Sequence, residues 1–126
     1  MTGVELIAME HARHVAAGRI LATNIQDGQL AMAAACYAAP EQLFKLDGDD
    51  SDCTMADPWP WERRQDLRQA VGERRLYGGT LPADPSTCST EERIELLAKA
   101  GAMIAEELDR LLGKTQPQLV SLELLA

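Results

Sequence analysis

The sequence predicts an all-α protein, and two observations favour that class. Ala (19 residues) and Leu (17 residues) far outnumber Val plus Ile (9 residues), so good helix formers carry the apolar content instead of the β-branched residues that strands favour. Apolar residues also recur at intervals of three and four, which is the spacing of one helix face. We therefore expect a small bundle of about four helices with one long acidic loop.

Length and charge restrict the function classes. The chain has 126 residues and a net charge of −8, which suits one globular domain that folds without a metal or disulfide. No apolar run approaches the roughly 20 residues of a membrane span, and the N-terminus lacks a secretory signal. The three cysteines (Cys36, Cys53 and Cys88) match neither a zinc pattern nor a disulfide framework. We expect a cytoplasmic protein with reduced thiols and no membrane partner.

The N-terminal third contains two predicted helices. The first extends from Val4 to about Ala22, and we expect its apolar and small face to point inward. This face consists of Val4, Ile7, Ala8, His11, Val15, Gly18 and Leu21. The second helix covers Gln29–Ala38, is capped by Asn24 or Asp27, and ends before Pro40. Because its residues are nearly all small, it should pack closely against its neighbours.

The middle of the chain combines an acidic loop with a basic helix. The loop is predicted over residues 46–61, since six acids and one Lys lie within residues 41–57 and two prolines surround the tryptophans. The segment Glu62–Arg75, with five Arg and three acids, is predicted to form a short helix that ends at Tyr77-Gly78-Gly79.

The last predicted helix has the clearest start. Ser89 and Glu92 have the spacing of a capping box, and Gly113 is expected to end the helix as a C-cap after about 23 residues. Its inward stripe is expected to contain Ile94, Leu97, Gly101, Ile104, Leu108 and Leu111. Residues 1–114 would then form a single helical domain. Residues 115–126 form an apolar tail that docks on the domain or on a second copy of the chain.

Four blocks of the sequence together resemble a known protein group. They are Glu10-x-x-Arg13-His14, Gly28–Ala38, Trp59-Pro60-Trp61 and Leu97–Leu111. In combination they are similar to small phage and prophage proteins related to the MazG-type all-α nucleoside triphosphate pyrophosphatases, including dATP/dGTP diphosphohydrolase-like proteins. The resemblance implies a helical bundle, commonly oligomeric, in which carboxylates on facing helices hold Mg²⁺ and an activated water attacks a nucleotide phosphate.

The sequence departs from that group where a metal would bind. In Gly28-Gln29-Leu30, Gln29 has an amide where proteins of that group have a carboxylate. The segment that joins the first two helices is short and lacks the His/Asp-rich stretch that the group has there. Glu106 and Asp109, one helical turn apart, match the group's Glu-x-x-Asp signature. With Glu10 they are the candidate catalytic residues, and Glu106 and Asp109 are the candidate Mg²⁺ ligands. The alternative is that these acids form salt bridges to Arg110, Arg13 or Lys99.

Three functions remain open. The missing carboxylates favour a non-catalytic acidic protein, such as a phage-type inhibitor of a host defence system (an anti-CRISPR protein, for example) that occupies a basic or nucleic-acid-binding surface. Its partner-binding residues would be Asp47, Asp49, Asp50, Asp52 and Asp57. The first alternative is a Mg²⁺-dependent (deoxy)nucleoside triphosphate pyrophosphatase. The second is a nucleotide-sequestering protein that uses Trp59, Trp61, Arg63, Arg64 and Arg68. Direct nucleic-acid binding is disfavoured by the charge, whereas a homodimer is compatible with the apolar tail.

Overall fold

A computed structural model describes residues 1–17, 28–48, 52–62, 65–70, 73–76, 79–82 and 85–114. This part of the chain is mostly helical, as predicted, with α1 (Gly3–Ala16), α2 (Gln29–Ala38) and α3 (Thr90–Lys114). It also contains two antiparallel hairpins, in which β1 (Lys45–Gly48) pairs with β2 (Cys53–Ala56) and β3 (Glu73–Leu76) pairs with β4 (Gly79–Pro82). The prediction of about four helices is therefore wrong for the described residues, which form three α-helices.

Local capping signals set the starts of two helices. At α1, the Thr2 hydroxyl accepts a hydrogen bond from the Glu5 N–H, and the Glu5 carboxylate accepts one from the Thr2 N–H. At α3, the predicted capping box is confirmed, because the Ser89 hydroxyl accepts from the Glu92 N–H at 3.1 Å and the Glu92 carboxylate accepts from the Ser89 N–H at 2.8 Å. Each box satisfies N–H groups that have no partner within the helix.

The ends of the helices differ from the predictions in two places. Helix α1 ends at Ala16 instead of about Ala22, while residues 18–27, with the candidate caps Asn24 and Asp27, lie outside the described residues. Helix α2 has the predicted bounds, and its N-cap is Gly28 with a φ of 85°. Helix α3 continues to Lys114, so Gly113 lies inside it and is not the C-cap. The apolar tail, residues 115–126, also lies outside the described residues.

The prediction of an acidic loop over residues 46–61 is wrong in part, because strands β1 and β2 form a hairpin there. The four residue pairs run from Lys45 opposite Ala56 to Gly48 opposite Cys53. Gly48 has a φ of 121°, and an added Cβ would lie 2.0 Å from the backbone oxygen of Asp52. The backbone therefore turns closely at Gly48, and the paired strands satisfy backbone groups that a loop would leave to water.

The helix predicted over Glu62–Arg75 is also wrong. The described residues of this segment contain a 3-10 turn over Leu67–Ala70 and strand β3. The Asp66 carboxylate accepts the N–H of Arg68 at 3.0 Å, and the Tyr37 hydroxyl accepts the N–H of Leu67 at 2.9 Å. Because side chains take these backbone donors, an α-helix is no longer the best arrangement for the segment.

The core lies between α2 and α3 and is closed by the Trp59 ring. Its buried members are Leu30, Ala33, Ala34, Cys36, Tyr37, Trp59, Leu96, Ala100 and Met103. The small residues of α2 face this core, which agrees with the expectation of close helix packing. At the end of α2, the Arg93 guanidinium of α3 donates to the backbone carbonyls of Tyr37, Ala38 and Ala39. These bonds satisfy carbonyls at the helix C-terminus and place a positive charge there, which links the two helices.

Helix α3 turns its apolar stripe outward, the opposite of the prediction, and part of the predicted inner face of α1 is also exposed. On α3, the large side chains of Ile94, Leu97, Ile104, Leu108 and Leu111 are each 44–55% exposed. On α1, Val4 and Val15 are exposed, whereas the polar residues Glu10 and His14 are buried. The physical reason is that α2 contacts α3 through Leu96, Ala100 and Met103, while ion pairs between α1 and α3 stabilise the charges on the inner side.

Candidate functional site

A buried group of four polar side chains joins α1 to α3. Its members, here called the α1–α3 ion cluster, are Glu10, His14, Lys99 and Glu106, each at most 8% exposed. Glu10 Oε1 accepts from Lys99 Nζ at 2.8 Å and lies 3.1 Å from His14 Nε2. On the other side of the imidazole, Nδ1 contacts the Glu106 carboxylate. The cluster thus links two candidate catalytic residues through one histidine.

Each carboxylate of the cluster faces a nitrogen of Lys99 or His14. The two nitrogens of the His14 ring face carboxylate oxygens, Nε2 that of Glu10 and Nδ1 that of Glu106. Burial alone would raise the pKa of Glu10, but the hydrogen bond from Lys99 and the charges of Lys99, Arg13 and His14 together lower that pKa below its usual value. Glu10 is therefore a stable anion that neutralises buried cations.

Asp109, the third candidate, does not join the cluster. Its carboxylate lies 3.2 Å from His11 Nε2, and its side chain is about half exposed. The structure therefore brings Glu10 and Glu106 to the same histidine but directs Asp109 to a different one. Of the proposed salt bridges, those from Glu10 to Arg13 and Lys99 are present, whereas Arg110 contacts Glu107.

These residues do not fit the Mg²⁺ ion that the family resemblance implies. Mg²⁺ requires several oxygen ligands in near-octahedral geometry. Oε1 of Glu10 already contacts Lys99 and His14, and Oε2 accepts from Arg13 at 3.0 Å. Across the described ranges, no group of three or more His, Cys, Asp or Glu side chains is arranged to hold a metal ion. A cation bound here would have to displace the Lys99 ammonium.

A second buried ion group surrounds Arg68, one of the residues assigned to nucleotide binding. This Arg68 cluster consists of Arg68, Asp57 and Asp66, and all three side chains are at most 1% exposed. Arg68 Nη2 donates to Asp57 at 2.8 Å and to Asp66 at 2.7 Å. Burial alone would lower the pKa of Arg68, but the two carboxylates raise it above its usual value. The guanidinium stays charged and is held by the two carboxylates through Nε and Nη2, while Nη1 is buried without a hydrogen-bond partner among the described residues.

The Arg68 cluster changes two candidate assignments. Arg68 is too deeply buried to contact a phosphate, so its assignment to nucleotide binding is wrong for this conformation. Asp57 is likewise buried, and it also accepts from Gln42 and from the Trp59 N–H, so it is not part of a surface that binds a partner. Both assignments failed because charged residues in a sequence are expected on the surface, whereas here they form an internal ion group.

The two tryptophans pack against the core. The Trp59 ring lies 5.1 Å from the Tyr37 ring and 5.5 Å, edge to face, from the Trp61 ring. Trp61 Nε1 donates to the side-chain oxygen of Gln29. These are the contacts of aromatic residues that anchor a core. Two further nucleotide-binding candidates, Arg63 and Arg64, lie outside the described residues.

The acidic candidates on the first hairpin divide between described and undescribed positions. Asp47 in β1 and Asp52 just before β2 are exposed. Asp49 and Asp50, between them in sequence, lie outside the described residues. The pairing of Gly48 with Cys53 brings the backbone of Asp47 and Asp52 to the same end of the hairpin. Two of the five proposed partner-binding acids are thus exposed at one end of a defined structural element.

The ion pair of Glu10 with Lys99 was one of the salt bridges expected from the sequence, whereas the structural role of Arg68 was not expected. Lys99 and Glu106 are seven residues apart on one face of α3, and Glu10 and His14 are four residues apart on one face of α1. For Arg68, the neighbouring Asp66 is a local signal, but the contact with Asp57 depends on the chain folding back. No local pattern identifies such a contact.

Comparisons with protein-family models, curated proteins and solved structures found no match for the chain. The resemblance to the MazG-type pyrophosphatases therefore stays a prediction. Among the helices of the described ranges, none is long and apolar enough to cross a membrane.

Proposed function

We propose that the chain is a non-catalytic acidic binding protein that occupies a basic or nucleic-acid-binding surface of a partner protein. The observation that carries this proposal is the pairing of Glu10 with Lys99, Arg13 and His14. This pairing occupies the carboxylate that a metal-dependent hydrolase would need. The overall charge of −8 favours a positively charged partner, and a host defence protein that binds nucleic acid has such a surface.

The exposed end of the first hairpin is the proposed contact. Asp47 and Asp52 present two carboxylates there, next in sequence to Asp49 and Asp50. Complementary charge of this kind accelerates association and is weakened by salt, because exposed charges are screened. Asp57 is left out of the proposed contact because it neutralises Arg68 in the interior.

The experiment compares the wild-type chain with two charge-matched variants as bait for proteins from a bacterial lysate. Asp47→Asn/Asp52→Asn removes two negative charges from the hairpin, and Glu91→Gln/Glu95→Gln removes two exposed charges from the start of α3. We expect a basic partner to bind the wild type and the α3 variant, to be lost with the hairpin variant, and to dissociate between about 50 and about 500 mM salt. Equal retention by all three baits would contradict the hairpin assignment.

A parallel assay tests the non-catalytic part of the proposal. Pyrophosphate and phosphate release is measured from a panel of nucleoside and deoxynucleoside triphosphates with Mg²⁺ and with Mn²⁺. No turnover is expected. Turnover that is abolished by Glu106→Gln/Asp109→Asn would instead favour the pyrophosphatase, and saturable nucleotide binding without turnover would favour the sequestering protein.

A further inference from the structure

The outer face of α3 is an apolar stripe that the described part of the chain leaves exposed. The α3 outer stripe consists of Ile94, Leu97, Gly101, Ile104, Leu108 and Leu111. Its five large side chains are each about half exposed, and they extend along about 26 Å of helix at 1.5 Å per residue. Contiguous apolar surface of this extent on a soluble protein marks a surface that another protein element covers.

The stripe carries no exposed charge through its centre. From Leu97 to Leu108, the charged residues of α3 are Lys99, Glu106 and Glu107, and all three are buried. Although the whole chain has a charge of −8, this face can therefore approach an identical face without placing like charges in contact. That property favours a second copy of the chain over a basic partner, which would need carboxylates here.

The spacing of the stripe is that of a coiled-coil seam. Its members follow one another at intervals of three, four, three, four and three residues, the alternation of a and d positions in a heptad. This order is the same when read from either end. If a second α3 packs antiparallel about a two-fold axis, Ile94 faces Leu111 of the other copy, Leu97 faces Leu108, and Gly101 faces Ile104. A two-fold interface requires such self-complementarity.

A side chain of α1 completes the apolar surface at the centre of the stripe. At Gly101, an added Cβ would lie 2.6 Å from the side chain of Ile7 in α1, so Ile7 fills the space beside the glycine. In the proposed pairing, Ile104 of the other copy therefore packs against Ile7 as well as against the backbone of Gly101. The apolar surface of α1 is thus continuous with the stripe, and it widens the contact beyond one helix.

We propose that the α3 outer stripe is the interface of an antiparallel two-fold homodimer of this chain. The proposal does not rest on the proposed function, because it concerns a different face of the protein. The two can also be distinguished by salt. Dimerisation should strengthen as salt screens the repulsion between two acidic chains, whereas binding to a basic partner should weaken.

Sedimentation equilibrium of the full chain at about 1 to about 100 µM tests the proposal over the range of a micromolar Kd. We expect the wild type to reach twice the 13.7 kDa mass of one chain. Leu97→Glu/Leu108→Glu should shift it to the monomer with unchanged helical circular dichroism, and Leu97→Gln/Leu108→Gln serves if the charged variant does not fold. Leu46→Glu, at a 76% exposed aliphatic residue of β1, is the matched control and should leave the dimer intact.

Cross-linking tests the direction of the helices. In a chain with Cys53 and Cys88 replaced by Ser, Ile94→Cys and Leu111→Cys proteins are treated with a short thiol cross-linker separately and as a mixture. We expect cross-linked dimers in the mixture alone. A wild type that is monomeric throughout the range, or a dimer that survives the stripe variants, would overturn the proposal, the latter placing the interface elsewhere. Efficient cross-linking of Ile94→Cys with itself would overturn the antiparallel arrangement.

Discussion

Lys99 of α3 and Glu10 of α1 form an ion pair inside the helical domain, with 2.8 Å between Nζ and Oε1 and with both side chains at most 10% exposed. Two charges removed from water are stable there only because each is paired and hydrogen-bonded. The pair joins α1 to α3 on the side that each helix turns inward. Substitution of one partner should therefore have a large effect.

Glu10→Gln should lower the free energy of unfolding by about 3–5 kcal/mol, since the Lys99 ammonium would remain buried without a carboxylate. Urea denaturation at neutral pH measures the change. Glu41→Gln, at an exposed position, is the control and should have an effect within about 0.5 kcal/mol. Adding Lys99→Met to Glu10→Gln should recover part of the loss, because the unpaired ammonium is removed. Equal stability of the Glu10 and Glu41 variants would show that the pair is not formed in solution.

The lowered pKa of Glu10 predicts a specific pH dependence. The folded-state pKa lies below the unfolded value of 4.5, so the stabilisation by Glu10 is fully present above pH 4.5 and is lost as the pH falls through the lower folded-state pKa. The stability difference between the wild type and Glu10→Gln should therefore be constant near neutral pH and should shrink in acid. Denaturation curves at several pH values measure it. A difference that grows on acidification has the wrong sign for a lowered pKa.

Arg68→Met should destabilise the protein by about 3–5 kcal/mol, because Asp57 and Asp66 would be left buried without a counter-charge. Arg13→Met is the control, since the Arg13 side chain is 71% exposed and its ion pair should contribute at most about 1 kcal/mol. Thermal and urea unfolding measure both variants. If Arg68→Met keeps its stability but loses affinity for a nucleotide, Arg68 is a ligand residue and not a structural one.

The cysteines provide a chemical test of the core. Cys36 is 1% exposed, and burial is the main cause that raises its pKa to about 12, whereas Cys53 is exposed. The thiolate is the reactive form, so Cys36 should resist thiol reagents at neutral pH. In a Cys88→Ser background, we expect one rapidly labelled thiol in the native protein and a second only after denaturation. Rapid labelling of both thiols in the native state would contradict the packing of α2.

Local sequence signals predicted the parts of the fold that depend on neighbouring residues. The capping box of Ser89 and Glu92 marked the start of α3, and the composition of Gln29–Ala38 defined α2. Each depends on contacts within a few residues, which a sequence pattern records directly. The hairpin of β1 and β2 was missed because its pairing depends on register between strands rather than on composition.

The orientation of the helices could not be predicted in the same way. Periodicity locates the apolar face of α3, but it does not say whether that face contacts the core of the same chain or another molecule. Here Ala100 and Met103, off the stripe, contact α2, and Lys99 pairs with α1. The sequence likewise identified Glu10 and Glu106 as related residues, but no local pattern identified His14 as their common partner.

Helix α3 buries its Met103 side and exposes its Leu108 side. The most direct test compares Met103→Glu with Leu108→Glu by circular dichroism and urea denaturation, at a protein concentration low enough for the wild type to sediment as a monomer. Met103 is 3% exposed and Leu108 is 55% exposed. Met103→Glu should abolish or strongly weaken folding, because it buries an unpaired carboxylate, whereas Leu108→Glu should stay folded with a change within about 1 kcal/mol. The reverse result, with Met103→Glu tolerated and Leu108→Glu unfolded, would contradict this orientation of α3 and would show that the stripe forms the core of the monomer.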